Sequence, residues 1–314
     1  MTGDGTVRVA VIGCGAIGSL YAAHLARAAG VEVWVVDPRA EHIDAIAERG
    51  LRVTGLADFT ARVHPRTDAS DLPDCDFGLV ATKALHTRTA VAGARAALAN
   101  AAVVSLQNGL GNEEVIAELV PRVIRGSIIT AGAIVEPGVV RYDAPGDSWF
   151  GPFEPSPASM DETERLARLL TDGGLTTHAV SDARGPQWTK VVFNSATSPL
   201  SALTGLPVGP VCTDPGLRLQ VDALIAEALL VCEKTGITLT RAPAESVAEA
   251  IAAAYRHRPS MLQDVLAHRP TEIAALNGGI AAEGRRVGVP TPLHDCMVAL
   301  VKGLERSWSP PSGQ

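Results

Sequence analysis

From Val7 onward the chain alternates short apolar runs with longer segments of helical spacing. Residues 7–12 (VRVAVI), 31–36 (VEVWVV), 76–81 (DFGLVA), 101–106 (AAVVSL) and 123–129 (VIRGSII) read as strands, rich in Val and Ile. Nearly continuous apolar strands suit a parallel sheet covered by helices on both faces. The Ala-rich stretches 16–29, 40–49, 87–99 and 111–119 repeat apolar residues at helical spacing. Strand–helix alternation of this kind predicts an α/β, Rossmann-type doubly wound sheet.

The pattern changes near residue 131. Pro and Gly become frequent, and short β-like pieces at 138–142 and 148–150 are expected to extend or close the sheet as antiparallel strands. A helix at 160–172 and a strand at 175–180 follow. Beyond about residue 183 the strand signal stops, and helical patterns cover 185–204, 214–235, 243–255, 260–268, 271–287 and 292–306. The expected organisation is a nucleotide-binding domain over 1–182, an all-helical substrate domain over 183–308 and a disordered tail over 309–314.

Composition narrows the class. Hydrophobic residues reach 46% and aromatics only 4%, so the cores must be built from Val, Ala, Leu and Ile. A net charge of -7 and few aromatics argue against a nucleic-acid partner. The five cysteines form no C-x-x-C pair and no zinc spacing, so neither a disulfide framework nor a metal site is expected. No basic stretch followed by an apolar core opens the chain, and no apolar run approaches the roughly 18 residues of a membrane span. The expectation is a cytoplasmic globular protein with a small-molecule partner.

Gly13-Cys14-Gly15-Ala16-Ile17-Gly18 is a G-x-G-x-x-G between the first strand and the first helix. In that setting it points to dinucleotide binding, with the pyrophosphate at the helix N-terminus. Asp37 lies nineteen residues after Gly18, at the end of the second strand. A carboxylate there accepts hydrogen bonds from a ribose and repels a 2′-phosphate, which favours NADH. Arg39 pulls the other way, and Asp37-Pro38-Arg39 also reads as a plain strand-end turn.

Only four of the 27 basic side chains are lysine: Lys83, Lys190, Lys234 and Lys302. Lysine, unlike arginine, can be tuned toward neutral pH by burial. Lys190, Asn194 and Ser198 are four apart, so they share one helix face among Val, Phe and Leu. Ser260 and Glu272 belong to a second informative stretch. Taken singly, Ser260 reads as the N-cap of a Ser-x-x-Gln capping box and Glu272 as a first-turn carboxylate.

Together these segments resemble the ketopantoate reductase (2-dehydropantoate 2-reductase) family. The resemblance rests on the glycine motif, Thr82-Lys83-Ala84, Gln107-Asn108-Gly109-Leu110-Gly111, the Lys190/Asn194 helix, and Ser260-Met261-Leu262-Gln263-Asp264 with Thr271-Glu272-Ile273. It implies a Rossmann domain, a helical domain, an active site in the cleft between them, NADPH as hydride donor and a 2-keto acid as acceptor. It implies Lys190 as general acid, Glu272 as its acidic partner, Asn108 and Asn194 at the substrate and nicotinamide, Ser260 on the substrate carboxylate, and Lys83 at the cofactor.

The sequence departs from the family at Ser198, where a second Asn is usual, and at Asp37, where a basic residue is common. The expected activity is reduction of 2-dehydropantoate to (R)-pantoate, in pantothenate synthesis, by a possible homodimer. Because of Asp37, NADH is expected to serve at least as well as NADPH. The alternatives are a relative acting on another keto or imino acid and a non-catalytic NAD(P)-binding sensor, which would have no need of Lys190 and Glu272.

Overall fold

The computed structural model describes residues 5–308. The expected disordered tail, 309–314, lies outside the described residues. The chain divides into two compact units. One comprises residues up to 107 and 112–183; the other comprises 108–111 and everything from 184.

Among the described residues the first unit holds twelve strands: β1 (Val7–Ile12), β2 (Val31–Val36), β3 (Leu51–Gly55), β4 (Phe59–Ala61), β5 (His64–Arg66), β6 (Phe77–Val80), β7 (Ala102–Ser105), β8 (Val123–Ile128), β9 (Ala131–Glu136), β10 (Val139–Ala144), β11 (Ser148–Pro152) and β12 (Thr177–Ala179). Its helices are α1 (Ala16–Leu25), α2 (Ala40–Arg49), α3 (Thr87–Gly93), α4 (Asn112–Ala117) and α5 (Met160–Gly173).

The main sheet runs β12-β11-β8-β7-β6-β1-β2-β5. It is parallel from β5 to β8, and β11 pairs antiparallel with β8. Both faces of β1 are buried. Val9 and Val11 enter the core shared with α1, α2 and α5, while Ala10 and Ile12 enter the core shared with α3 and α4. That two-sided burial explains the unbroken Val/Ile runs in the sequence.

The expected antiparallel extension is corrected in one respect. β11 does join the main sheet, but β10 belongs to a separate four-stranded sheet ordered β4-β3-β10-β9. Helix α1 packs against strands of both sheets, which buries every residue from Gly18 to Leu25.

The second unit is helical: α6 (Arg184–Thr204), α7 (Val208–Thr213), α8 (Pro215–Thr235), α9 (Pro243–Ala253), α10 (Ser260–Leu266), α11 (Asn277–Val287) and α12 (Pro292–Ser307). Its core joins Trp188, Val191, Val192 and Ala196 of α6 to Val221, Leu224, Ile225, Ala228 and Val231 of α8. Both sets repeat at three- and four-residue spacing, as amphipathic helices require. Among the described residues no helix is long and apolar enough to cross a membrane, and no cluster of His, Cys, Asp and Glu could hold a metal.

Candidate active site

The three glycines after β1 do three different things. Gly13 has φ +96°, and a Cβ there would lie 2.7 Å from the Thr82 amide nitrogen. A Cβ on Gly18 would lie 1.8 Å from the Gly13 carbonyl oxygen, so helix and loop touch where only hydrogen fits. A Cβ on Gly15 would meet nothing within 4 Å. Gly15 is also the N-cap of α1 and brings no side chain to cap it. The first N–H groups of α1 therefore border open space, and unpaired amides at a helix N-terminus favour an anion. Cys14 is buried, and burial pushes its thiol up to about 12, so it is no nucleophile.

At the end of β2 the sequence set Asp37 against Arg39, but the structure pairs them. The Arg39 guanidinium donates from Nε to Asp37 Oδ1 at 2.8 Å and from Nη2 to Oδ2 at 3.0 Å. The Arg39 backbone N–H donates to Oδ1 and the Cys14 N–H to Oδ2. Arg39 Nη2 also donates to the Cys14 carbonyl at 2.8 Å, tying β2 to the glycine loop. Burial opposes ionisation of Asp37, but Arg39 and the Cys14 amide outweigh it and hold the carboxyl below its usual range. The Asp37 side chain is 9% exposed and that of Arg39 50%, so the guanidinium is the accessible partner.

In the helical unit three sequence-predicted residues meet. Lys190 Nζ donates to Asn108 Oδ1 at 2.8 Å, and Asn108 Nδ2 donates to Glu272 Oε2 at 2.9 Å. An ammonium can only donate and a carboxylate accepts, so the two neighbours set the amide orientation. Desolvation lowers the Lys190 pKa to about 8, against a raising influence from Glu272.

Asn108 reaches this place because residues 108–111 pack with the helical unit although Gln107 and Asn112 do not. Leu110 N–H donates to the Ala275 carbonyl at 2.8 Å. Gly109, at φ +88°, lies so close that a Cβ would be 2.4 Å from the same oxygen. That approach sets Asn108 beside Glu272 and accounts for glycine after it.

Asn194 and Ser198 continue the Lys190 face of α6, Asn194 partly exposed and Ser198 buried. Neither of the purely local readings of Ser260 and Glu272 holds. The N-cap of α10 is Pro259, and Ser260 is its first residue, exposed, with Gln263 donating instead to the Arg258 carbonyl. Glu272 is not in the first turn of a helix, because α11 begins only at Asn277. Glu272 sits in the preceding turn, 8% exposed, so no helix N-terminus explains it. Lys83 is in the sheet unit, where it caps the 3-10 turn Ala84–His86 after β6.

In the sequence Gln107 is only one member of a motif. Its Nε2 donates to the Thr82 carbonyl at 2.9 Å and to Thr87 Oγ1 at 2.7 Å, joining the loops after β6 and β7. Nothing local in the sequence marks that link, which spans about two dozen residues.

Comparison with known proteins places the chain in one family. The family model described as "Ketopantoate reductase PanE/ApbA" matches residues 9–155, and its C-terminal companion matches 182–305. The 2-dehydropantoate 2-reductase of Archaeoglobus fulgidus is 34% identical over 95% of this chain and 98% of its own. That of Pyrococcus horikoshii is 32% identical over the same shares. Among solved structures, a PanE/ApbA family ketopantoate reductase from Ralstonia eutropha superposes with a TM-score of 0.86, at 29% identity over 96% of this chain and 99% of its own. D-mandelate dehydrogenase with NADH and anilino(oxo)acetate superposes with a TM-score of 0.84, at 26% identity over the same shares. With a glycine cradle on one unit, a Lys–Asn–Glu relay on the other and both family models matched in order, this chain belongs to the ketopantoate reductase family of NAD(P)-dependent oxidoreductases.

Proposed function

We propose that this protein reduces 2-dehydropantoate to pantoate, with Lys190 as proton donor. The carrying observation is the relay in which Asn108 joins Lys190 to Glu272. Bound NAD(P)H supplies the hydride, and Gly13, Gly15 and Gly18 with Asp37 and Arg39 would hold it. Reduction of a ketone leaves negative charge on its oxygen, which needs a proton and a nearby cation. A lysine ammonium with a pKa of about 8 is protonated at neutral pH yet gives up its proton more readily than free lysine. Asn108 and Glu272 hold that ammonium in place. Asn194, Ser198 and Ser260 offer neutral groups for the substrate carbonyl and carboxylate without competing for the proton.

Arg39 already occupies both oxygens of Asp37, so ribose hydroxyls would have to displace it, whereas a 2′-phosphate would meet a cation. We therefore expect NADH and NADPH both to serve, within about tenfold in kcat/KM of each other. The free state of all five cysteines suits a reducing cytoplasm.

One observation favours a second reading. Ser198 is smaller than the usual Asn, and a D-mandelate dehydrogenase has the same fold over its full length. A bulkier or aromatic 2-keto acid would fit that change. The test is NAD(P)H oxidation with 2-dehydropantoate, phenylglyoxylate and a panel of aliphatic 2-keto acids. Preference for 2-dehydropantoate supports the first reading, and preference for phenylglyoxylate the second. Tight cofactor binding without turnover of any 2-keto acid would remove both and leave a sensor.

A further inference from the structure

The geometry points to Asn277 as a positioning residue that replaces the backbone donor missing at Pro199 and thereby holds the Lys190–Asn194 face of α6. Helix α6 runs unbroken from Arg184 to Thr204 with Pro199 inside it. A proline has no N–H, so the carbonyl four residues earlier, that of Ser195, loses its helical partner, and the ring pushes that carbonyl aside. Ser195 is fully buried, where an unpaired carbonyl is costly and water cannot repair it.

Asn277 fills the gap. Its side-chain Nδ2 donates to the Ser195 carbonyl at 2.9 Å, and Asn277 is itself fully buried. The same Nδ2 lies 3.1 Å from His294 Nδ1, while His294 Nε2 lies 3.0 Å from the Leu224 carbonyl. A carbonyl can only accept. Nε2–H therefore donates to Leu224, Nδ1 accepts from Asn277, and the amide is held with both hydrogens used. One side chain from the first turn of α11 thus ties α6 to α12 and, through His294, to α8. The bonded carbonyl belongs to the residue next to Asn194 and one residue past a helical turn from Lys190.

This assignment rests on the proposed roles of Lys190 and Asn194, since it is their placement that Asn277 would serve. Packing alone does not demand an asparagine here: its Oδ1 has no hydrogen-bond partner although it is buried. An amide that leaves its own acceptor unpaired is retained for what its donor does.

The test is a double-mutant cycle, because Pro199→Ala restores the N–H that Asn277 replaces. In the Pro199 background, Asn277→Ala is expected to lower kcat about tenfold or more, with the cofactor Kd unchanged. In the Pro199→Ala background the same substitution is expected to cost less than about threefold. Amide exchange of a peptide covering 194–204 is expected to follow the same pattern, faster in Asn277→Ala and restored in the double variant. If Asn277→Ala does not fold, recovery of folded protein in the double variant carries the same meaning. Equal costs in both backgrounds, in rate, exchange or fold, would overturn the assignment and leave Asn277 as a packing residue. Should Lys190→Ala turn over like wild type, the reading of the site fails instead, and the positioning role fails with it.

Discussion

If the Lys190 ammonium delivers the proton, reduction must follow its protonation. Desolvation brings that group down to about 8, while Glu272 opposes the shift. A lysine with a lowered pKa loses its proton at lower pH than free lysine, so the competent form is the low-pH form. With that value about nine-tenths of Lys190 is protonated at pH 7 and about one-tenth at pH 9. In the direction of reduction, kcat/KM is expected to be level below about pH 7 and to fall roughly tenfold per unit well above pH 8. Glu272→Gln removes the influence that raises Lys190, so the alkaline limb should move to lower pH. A move of one unit would correspond to about 1.4 kcal/mol of lost charge interaction. Lys190→Arg stays protonated throughout, so its limb should vanish whatever its absolute rate. Lys190→Ala should lose about 10²- to 10⁴-fold in kcat, the span of general acid catalysis. The assay is the initial rate of nicotinamide oxidation from about pH 6 to about pH 10 at saturating cofactor. A limb that stays in place in Lys190→Arg, or one that moves up in Glu272→Gln, would refute Lys190 as the donor.

Four further outcomes are expected. Gly15→Ala should leave the melting temperature within a few degrees of wild type while weakening NAD(P)H binding by about tenfold or more, because its Cβ meets open space where a bound pyrophosphate would approach. Gly18→Ala drives a Cβ to 1.8 Å from a backbone oxygen and should destabilise the sheet unit by about 3 kcal/mol or more; thermal melts and cofactor titration of the two variants separate these effects. Arg39→Ala frees Asp37 for ribose hydroxyls and should move the NADH-to-NADPH ratio of kcat/KM up by about 5-fold or more, whereas Asp37→Asn should move it down; shifts in the same direction would show that the pair does not read the ribose. Burial lowers the His294 pKa below 6.5, with Glu227 and Asp295 opposing, so the unfolded chain takes up that proton first as pH falls. Stability from neutral His294 is thus complete above about pH 6.5 and is lost below it; a melting temperature that His294→Gln leaves equally acid-sensitive would exclude this residue as the cause.

Local periodicity made much of the fold legible. The runs 7–12 and 31–36 are strands and 40–49 a helix to the residue, and the helical pattern 243–255 differs from the observed helix only at its C-terminal end. These elements are strongly apolar on their buried faces, so local spacing and tertiary burial agree. The glycine motif was legible for the same reason, since a strand and a helix flank it. The second sheet was not. β3 and β4 are short and partly exposed, and Arg52 of β3 pairs with Val139 of β10, a partner no local window contains. The Ser-x-x-Gln signal misled because Pro259, already extended, serves as N-cap before Ser260 can.

By itself the sequence determined that two folding units of different class follow one another, that the first carries a G-x-G-x-x-G turn between a strand and a helix, and that a lysine kept in an arginine-rich chain lies on a helix face with Asn194. Those properties depend on spacing within a few turns of chain. Only the tertiary structure decided which distant groups meet. Asn108 bonds Lys190 across 82 residues and Glu272 across 164, and it does so because residues 108–111 leave the sheet unit to pack with the helices. The pairing of Asp37 with Arg39, read as a rivalry in the sequence, and the repair of Pro199 by Asn277 were decided there too. Hydrogen bonds are short-ranged and directional, so their partners follow from where packing brings the chain and not from where the residues stand along it.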